Sequence, residues 1–243
     1  MKTLSQLANW MRGSDLRFTD RELTGVLDFC RDGIEPENPT ASRGEGRDLE
    51  QVTDGKAESP VEQPTGRAIP WGKQALALHP DFIEGLFWIE TKIGLKPEWL
   101  TACMKFESNL NPKARNPNSS ASGLIQFMSA TAQNLGTNIA AIREMGPMEQ
   151  LGYVYKYFQQ IRDDWTGLGI EDVYMAILWP VAVGKPNDYS IFVDGSSVYQ
   201  VNRGLDINKN GIVTKDEAAS KVRTLYYEGL KDGNVIFVHK QKP

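Results

Sequence analysis

From Trp71 onward the apolar residues recur every three or four positions, and that spacing restricts the fold to packed helices. Asp81 can start a helix that carries Phe82, Ile83, Leu86, Phe87 and Ile93. Pro97 suits the first position of the next helix, which runs through Glu98 to Glu107 and is ended by Asn109 and Pro112. Ser129 or Thr131 begins a shorter one. Pro147 opens a helix with Leu151, Val154, Tyr155, Phe158 and Ile161 on one stripe, and a further helix spans Glu171 to Trp179, stopped by Pro180. Strand signal is thin: a small hairpin near 115–127, and Tyr189 to Val193. The predicted class is mainly α, an α+β fold only through that small β-hairpin region.

Residues 1–67 have a different character. The first 33 read as two short helices forming a hairpin, with Thr3 and Gln6, then Thr19 and Glu22, as capping boxes. So small a piece makes a poor core alone and is expected to dock on something. Residues 34–67 hold Pro36, Pro39, Pro60 and Pro64, four glycines and many charges, which is the composition of a linker. The globular domain is therefore placed at 68–243.

The rare residues exclude whole classes of chemistry. There are two histidines, His79 and His239, and two cysteines, Cys30 and Cys103. They lie far apart, whereas a catalytic zinc usually takes three ligands drawn largely from such residues. Neither histidine is placed as a general base, so hydrolytic chemistry is expected to run on carboxylates. Two cysteines make no disulfide framework and read as buried thiols. The net charge of -4 argues against a nucleic-acid binder. No apolar run reaches the roughly 18 residues of a membrane span, and the N-terminus lacks the apolar core of a signal peptide.

One carboxylate stands out. Leu100, Cys103 and Met104 lie seven, four and three residues before Glu107 and share its helical face. A carboxyl held against apolar walls resists ionising, and a proton donor working near neutral pH requires that property. The alternative is a helix-end Glu that reaches into water or pairs with Lys105 or Lys113. No convincing second carboxylate accompanies it; Asp163, Asp164, Glu171 and Asp172 are candidates only by default.

The segment Phe106-Glu107-Ser108-Asn109-Leu110-Asn111-Pro112 leads through a polar loop to Gly123-Leu124-Ile125-Gln126-Phe127. This pairing resembles the lysozyme-like soluble lytic transglycosylases, which have a Glu-Ser pair ahead of an Asn-Pro and then a Gly-Leu-Met-Gln-type segment. The resemblance implies a lysozyme-like fold and cleavage of the peptidoglycan bond between MurNAc and GlcNAc. Glu107 takes the role of the single catalytic acid/base, Ser108 orients it or contacts sugar, Gln126 lines the glycan cleft, and Gly123 permits close approach. The family's Ala-Tyr-Asn-Ala-Gly stretch has no Asn-Gly counterpart in Tyr174-Met175-Ala176-Ile177-Leu178-Trp179-Pro180-Val181-Ala182-Val183-Gly184-Lys185-Pro186, a form that resembles a phage-encoded branch. Tyr174 faces the cleft or sits in the core. The resemblance covers most of 68–243 and none of 1–67.

A second pattern concerns a metal. Asp206, Asn208, Asn210, Gly211, Ile212, Thr214 and Glu217 fill the diagnostic positions of an EF-hand calcium loop over 206–217, with Val213 at its apolar position. Asp206, Asn208, Asn210, the Ile212 carbonyl, Thr214 and Glu217 are the expected calcium ligands. The alternative is an Asx-rich turn ahead of a helix from about Lys215 to Leu230. Two charged ligands predict modest affinity, and a single loop predicts a structural clip.

The sequence thus points to a peptidoglycan-degrading lytic transglycosylase with structural Ca2+. It would be carried in a phage virion and meet tail proteins through its N-terminal arm, or would wait in the host cytoplasm as an endolysin for a holin. The rivals are a muramidase using the same Glu107, a chitin-active relative, and a non-catalytic, calcium-stabilised glycan-binding virion protein.

Overall fold

The structure is a computed structural model that describes residues 66–238. The expected N-terminal hairpin, nearly all of the linker, Cys30 and His239 lie outside the described residues. The elements run β1 (Arg67–Ile69), α1 (Gly72–Leu78), α2 (Phe82–Ile93), α3 (Pro97–Ser108), α4 (Ser129–Asn134), α5 (Ile139–Glu144), α6 (Pro147–Ile161), α7 (Ile170–Leu178), β2 (Ser190–Val193), α8 (Ser197–Asn202), β3 (Ile212–Thr214), α9 (Lys215–Gly229) and β4 (Ile236–Val238). The predicted mainly α architecture is the observed one. The expected hairpin at 115–127 is reduced to two isolated antiparallel bridges, Arg115 with Ser122 and Ser122 with Phe127.

α3 is the central element. Pro97 and Glu98 favour its N-terminus, and Leu100, Thr101, Ala102, Cys103 and Met104 are all buried. It packs on α2, α7, α9 and β1. The buried Thr101 hydroxyl donates to the Pro97 carbonyl, which satisfies it within the helix. Asn109 and Leu110 both adopt left-handed backbone (φ 54 and 56), and their N–H groups return to the last turn of α3. That cap stops the helix sharply and leaves Glu107 in its final turn.

Long-range pairing closes the domain. β1 and β4 join the two ends of the described chain as an antiparallel pair, with Ala68 opposite Phe237. Arg67, assigned to the linker from sequence, opens β1. Its guanidinium grips both carboxylate oxygens of Glu98 and one of Glu90, tying β1 to α2 and α3. β2 pairs with β3, the strand inside the 206–217 loop, and Val213 is fully buried beneath it.

Two details of the apolar stripes differ from expectation. On α6 the buried positions are Gln150, Leu151, Val154, Tyr157 and Phe158, while Tyr155 is half-buried with its ring edge-on to Trp88. Both 154–155–158 and 154–157–158 satisfy helical spacing, and packing against α2 decides between them. α1, α5 and α8 are short helices without a long stripe, and periodicity did not reveal them.

Candidate active site

Glu107 is half-buried at the end of α3, and no hydrogen bond or ion pair among the described residues engages its carboxyl. Burial alone pushes its pKa up to about 7 from an ordinary 4.5. Neither lysine proposed as a partner is available. Lys105 Nζ donates to Gln74 and Asn109 and lies 3.9 Å from the Trp71 ring centre. Lys113 Nζ caps the end of α5 through the carbonyls of Arg143 and Glu144.

Two tyrosines and a thiol surround this carboxyl. Burial first, and then the charge on Glu107, raise the pKa of Tyr157 from α6, Tyr174 from α7 and Cys103 one turn back on α3. The Tyr157 hydroxyl donates to the Ala176 carbonyl at 2.6 Å. Tyr174 is 4 % exposed and stacks edge-on against Phe106, 5.4 Å between ring centres. It is packed in the core, the second of the two expectations for it, and lies within reach of the Glu107 charge.

The four default candidates for a second carboxylate are engaged or distant. Glu171 pairs with Arg223 and Asp172 with Lys215, Asp164 accepts from the Thr166 backbone, and Asp163 is exposed. No like charge contributes to the shift of Glu107.

The loop after α3 is bound to the helix next to the carboxyl. Ser108, 8 % exposed, donates its hydroxyl to the Leu124 carbonyl at 2.9 Å and to the Met104 carbonyl at 3.0 Å. Its hydroxyl thus holds the loop to α3 beside Glu107 and makes no bond to Glu107. Ser122 and Phe127 exchange both backbone hydrogen bonds, closing a four-residue turn over 123–126. That turn needs left-handed backbone at Gly123 (φ 80) and Gln126 (φ 52). The Gln126 amide donates to the Gly123 carbonyl at 3.1 Å, satisfying local backbone.

Residues 87–161 match the family model of the transglycosylase SLT domain. The matched stretch is under a third of the 243-residue chain. It runs from α2 through α6 and includes Glu107, Ser108, Gly123 and Gln126; α7 with Tyr174 and the 206–217 loop lie beyond it. No curated protein matches the chain. The SLT-domain match together with the helical fold supports a lysozyme-like enzyme of the lytic transglycosylase kind acting on peptidoglycan. No helix among the described residues is long and apolar enough to cross a membrane.

The expected calcium loop adopts a self-contained fold. Asp206, 7 % exposed, accepts from the backbone N–H of Asn210 and Gly211 and from the Tyr199 hydroxyl at 2.6 Å. Asn208 Oδ1 accepts from Asn210 N–H, and Asn210 Oδ1 from Ile212 N–H. Glu217 accepts from Asn208 N–H and from both the N–H and hydroxyl of Thr214, and Thr214 caps α9 in return. These side-chain oxygens belong to one loop. They are the hard oxygen donors that calcium prefers, and they fit the ion. Asp206 and Glu217 are the only carboxylates in the set, and no group of three His, Cys, Asp or Glu suited to a metal occurs among the described residues.

Sequence reasoning missed Gln150, Tyr157 and the Lys215–Asp172 pair. The first two occupy the buried stripe of α6, where a polar residue is itself a signal. The pair joins residues 43 apart and leaves no local mark.

Proposed function

We propose that this chain is a phage-encoded peptidoglycan lytic transglycosylase that cleaves the MurNAc–GlcNAc β-1,4 bond and leaves a 1,6-anhydro-MurNAc end. One observation carries the reading: a carboxyl with no hydrogen-bond or ion-pair partner among the described residues, its pKa raised to about 7 by burial, sits where α3 meets the Gly123–Gln126 turn. Protonated Glu107 gives its proton to the bridging oxygen, and the glycosidic bond breaks. The resulting carboxylate then takes a proton from the sugar's own C6 hydroxyl, whose oxygen closes on C1. One group serves both steps in turn, so no second carboxylate is required, whereas the usual hydrolytic routes use two. Gln126 contacts the glycan in this scheme, and Tyr174 backs Glu107 from the core side.

Mass spectrometry of fragments released from purified cell walls tests the outcome. Anhydro ends are expected; fragments with only reducing ends would replace this reading by a muramidase. Binding without any released fragment would leave a glycan-binding virion protein.

The same proposal places Ca2+ in the 206–217 loop, held by Asp206, Asn208, Asn210, the Ile212 carbonyl, Thr214 and Glu217. There the ion supplies a structural clip at the start of α9. Calcium at about ten times its Kd should stabilise the fold by about 1.4 kcal/mol, a rise of about 3–6 °C in the melting midpoint. A chelator should remove that rise, and Glu217→Gln should show none of it. Equal midpoints with and without calcium would exclude the site.

Residues 1–33, tethered by the 34–67 linker, would be the docking arm to phage tail proteins, with the enzyme delivered in the virion to the cell wall. Mass spectrometry of purified particles checks that placement. Absence from particles would favour the endolysin route from the host cytoplasm.

A further inference from the structure

We propose that Gln150 is a positioning residue of the active site, holding the Gly123–Gln126 turn at the end of the Glu107 helix through a two-sided grip on Leu124. The proposal rests on the reading of Glu107 as acid/base.

Gln150 lies on α6 and is completely buried. Its amide is saturated by three backbone groups from three separate segments. Oε1 accepts from Leu124 N–H at 2.9 Å. Nε2 donates to the Pro112 carbonyl at 2.7 Å and to the Ile142 carbonyl at 2.9 Å. Pro112 follows the cap of α3, Leu124 belongs to the turn, and Ile142 lies on α5. One side chain therefore locks these three segments together.

Leu124 is held on both sides of its backbone. Gln150 binds its N–H, and Ser108, the neighbour of Glu107, binds its carbonyl at 2.9 Å. The chain of contact runs Gln150, Leu124, Ser108 and then the backbone of Glu107. The approach is so close that a Cβ on Gly123 would lie 2.5 Å from Gln150 Oε1. Gly123 is thus required by the Gln150 amide as well as by its own backbone conformation. A carboxylate cannot replace this amide, because it has no N–H for the carbonyls of Pro112 and Ile142. A protonated carboxylic acid can accept from Leu124 and donate to one of the two.

That difference yields a test in which simple structural damage and loss of positioning separate. Wild type, Gln150→Glu and Glu107→Gln are assayed on purified peptidoglycan across pH 5 to 8, at a temperature where all are folded. At the alkaline end Gln150→Glu should be down by about a hundredfold, the scale of a small misplacement of reacting groups. Its activity relative to wild type should climb as pH falls, because burial favours the neutral acid that restores part of the grip. Lys113, Arg115, Arg143, Glu144 and Glu149 on the adjoining segments are common to both proteins, so the ratio cancels their titration. A ratio that stays flat with pH, whether low or near one, overturns the proposal.

A second measurement needs no turnover. Hydrogen exchange at Leu124 N–H should quicken by about tenfold or more in Gln150→Leu, and in Gly123→Ala, which displaces the amide in a chain that still contains it. Amides of α9 should keep their wild-type rates. Unchanged exchange at Leu124 in both variants also overturns the proposal. Should Glu107→Gln clear cell wall as wild type does, the acid/base reading fails, while the exchange result still decides whether Gln150 holds the turn.

Discussion

Glu107→Gln is expected to lower the rate of glycan cleavage by about a thousandfold and, above neutral pH, to make the protein more stable. The rate loss follows from the loss of the acid placed at the end of α3, since an amide has the size of the acid and no proton to give. The gain in stability follows from the shift of the wild-type carboxyl. Its pKa is about 7 in the folded protein against an ordinary 4.5. Below the ordinary value both folded and unfolded chains are protonated, and the group favours neither. Between the two values the unfolded chain ionises first, so the wild type loses stability as pH rises. Above about 7 both states are charged and the loss is complete, at most about 3 kcal/mol given partial contact with water. Glutamine carries no such charge, so the variant melts higher than wild type at pH 8 and equally at pH 4. A zymogram and two thermal melts measure both effects. A variant that clears cell wall undiminished would remove Glu107 from the mechanism.

The same shift sets the pH dependence of catalysis. The first step needs the protonated acid, so cleavage should fall as pH rises through about 7, roughly tenfold per unit beyond it. A carboxyl of ordinary pKa would lose its proton near 4.5 and leave little activity at neutral pH. A rate profile whose alkaline limb lies near 5 would contradict the burial of Glu107.

What was legible in the sequence is what local periodicity and fixed spacing encode. The run Leu100, Cys103, Met104 and Glu107 repeats at the pitch of one helix, and Pro97 and Asn109 mark its ends, so α3 and its carboxyl could be placed without a structure. The Glu-Ser and Gly-Leu-x-Gln pairing suggested which loop meets that helix. It did not show that Ser108 is the link between them, because a hydroxyl bonding a carbonyl 16 residues away leaves no pattern. The strands were mostly hidden for the same reason. β1 and β4 are three residues each and pair only when the ends of the domain meet. Gln150 and Tyr157 were left off the stripe read for α6, yet both are buried in it, and the Gln side chain has to find three backbone partners before its burial is tolerable. Lys215 falls inside the 206–217 loop, where nothing in the local pattern marks it for burial, and it is 1 % exposed.

Lys215→Met is the substitution expected to damage stability most. Lys215 Nζ donates to Asp172 Oδ1 at 2.6 Å and to the Lys185 carbonyl at 2.7 Å. Asp172 Oδ1 also accepts from Gly184 N–H at 2.6 Å. The ion pair therefore fastens the first turn of α9 to α7 and to the turn after Pro180–Ala182. The side chains are 1 % and 12 % exposed, so water cannot replace either partner. Removing the ammonium leaves a buried carboxylate with backbone N–H groups alone, which should cost about 3–5 kcal/mol. Replacing both partners, Lys215→Met with Asp172→Leu, should recover a large part of that loss, because the uncompensated charge goes with the lysine. Urea melts of the two single variants and the double variant give the coupling directly, and additive losses would mean that the two side chains do not act as a pair. Tyr174 stands two residues beyond Asp172 on α7, next to Glu107 in the field of its charge. The single Lys215→Met variant should therefore lose glycan cleavage at temperatures where it is still folded, and the double variant should regain it. The 206–217 loop and the acid site would then share one stabilising contact, with α7 between them.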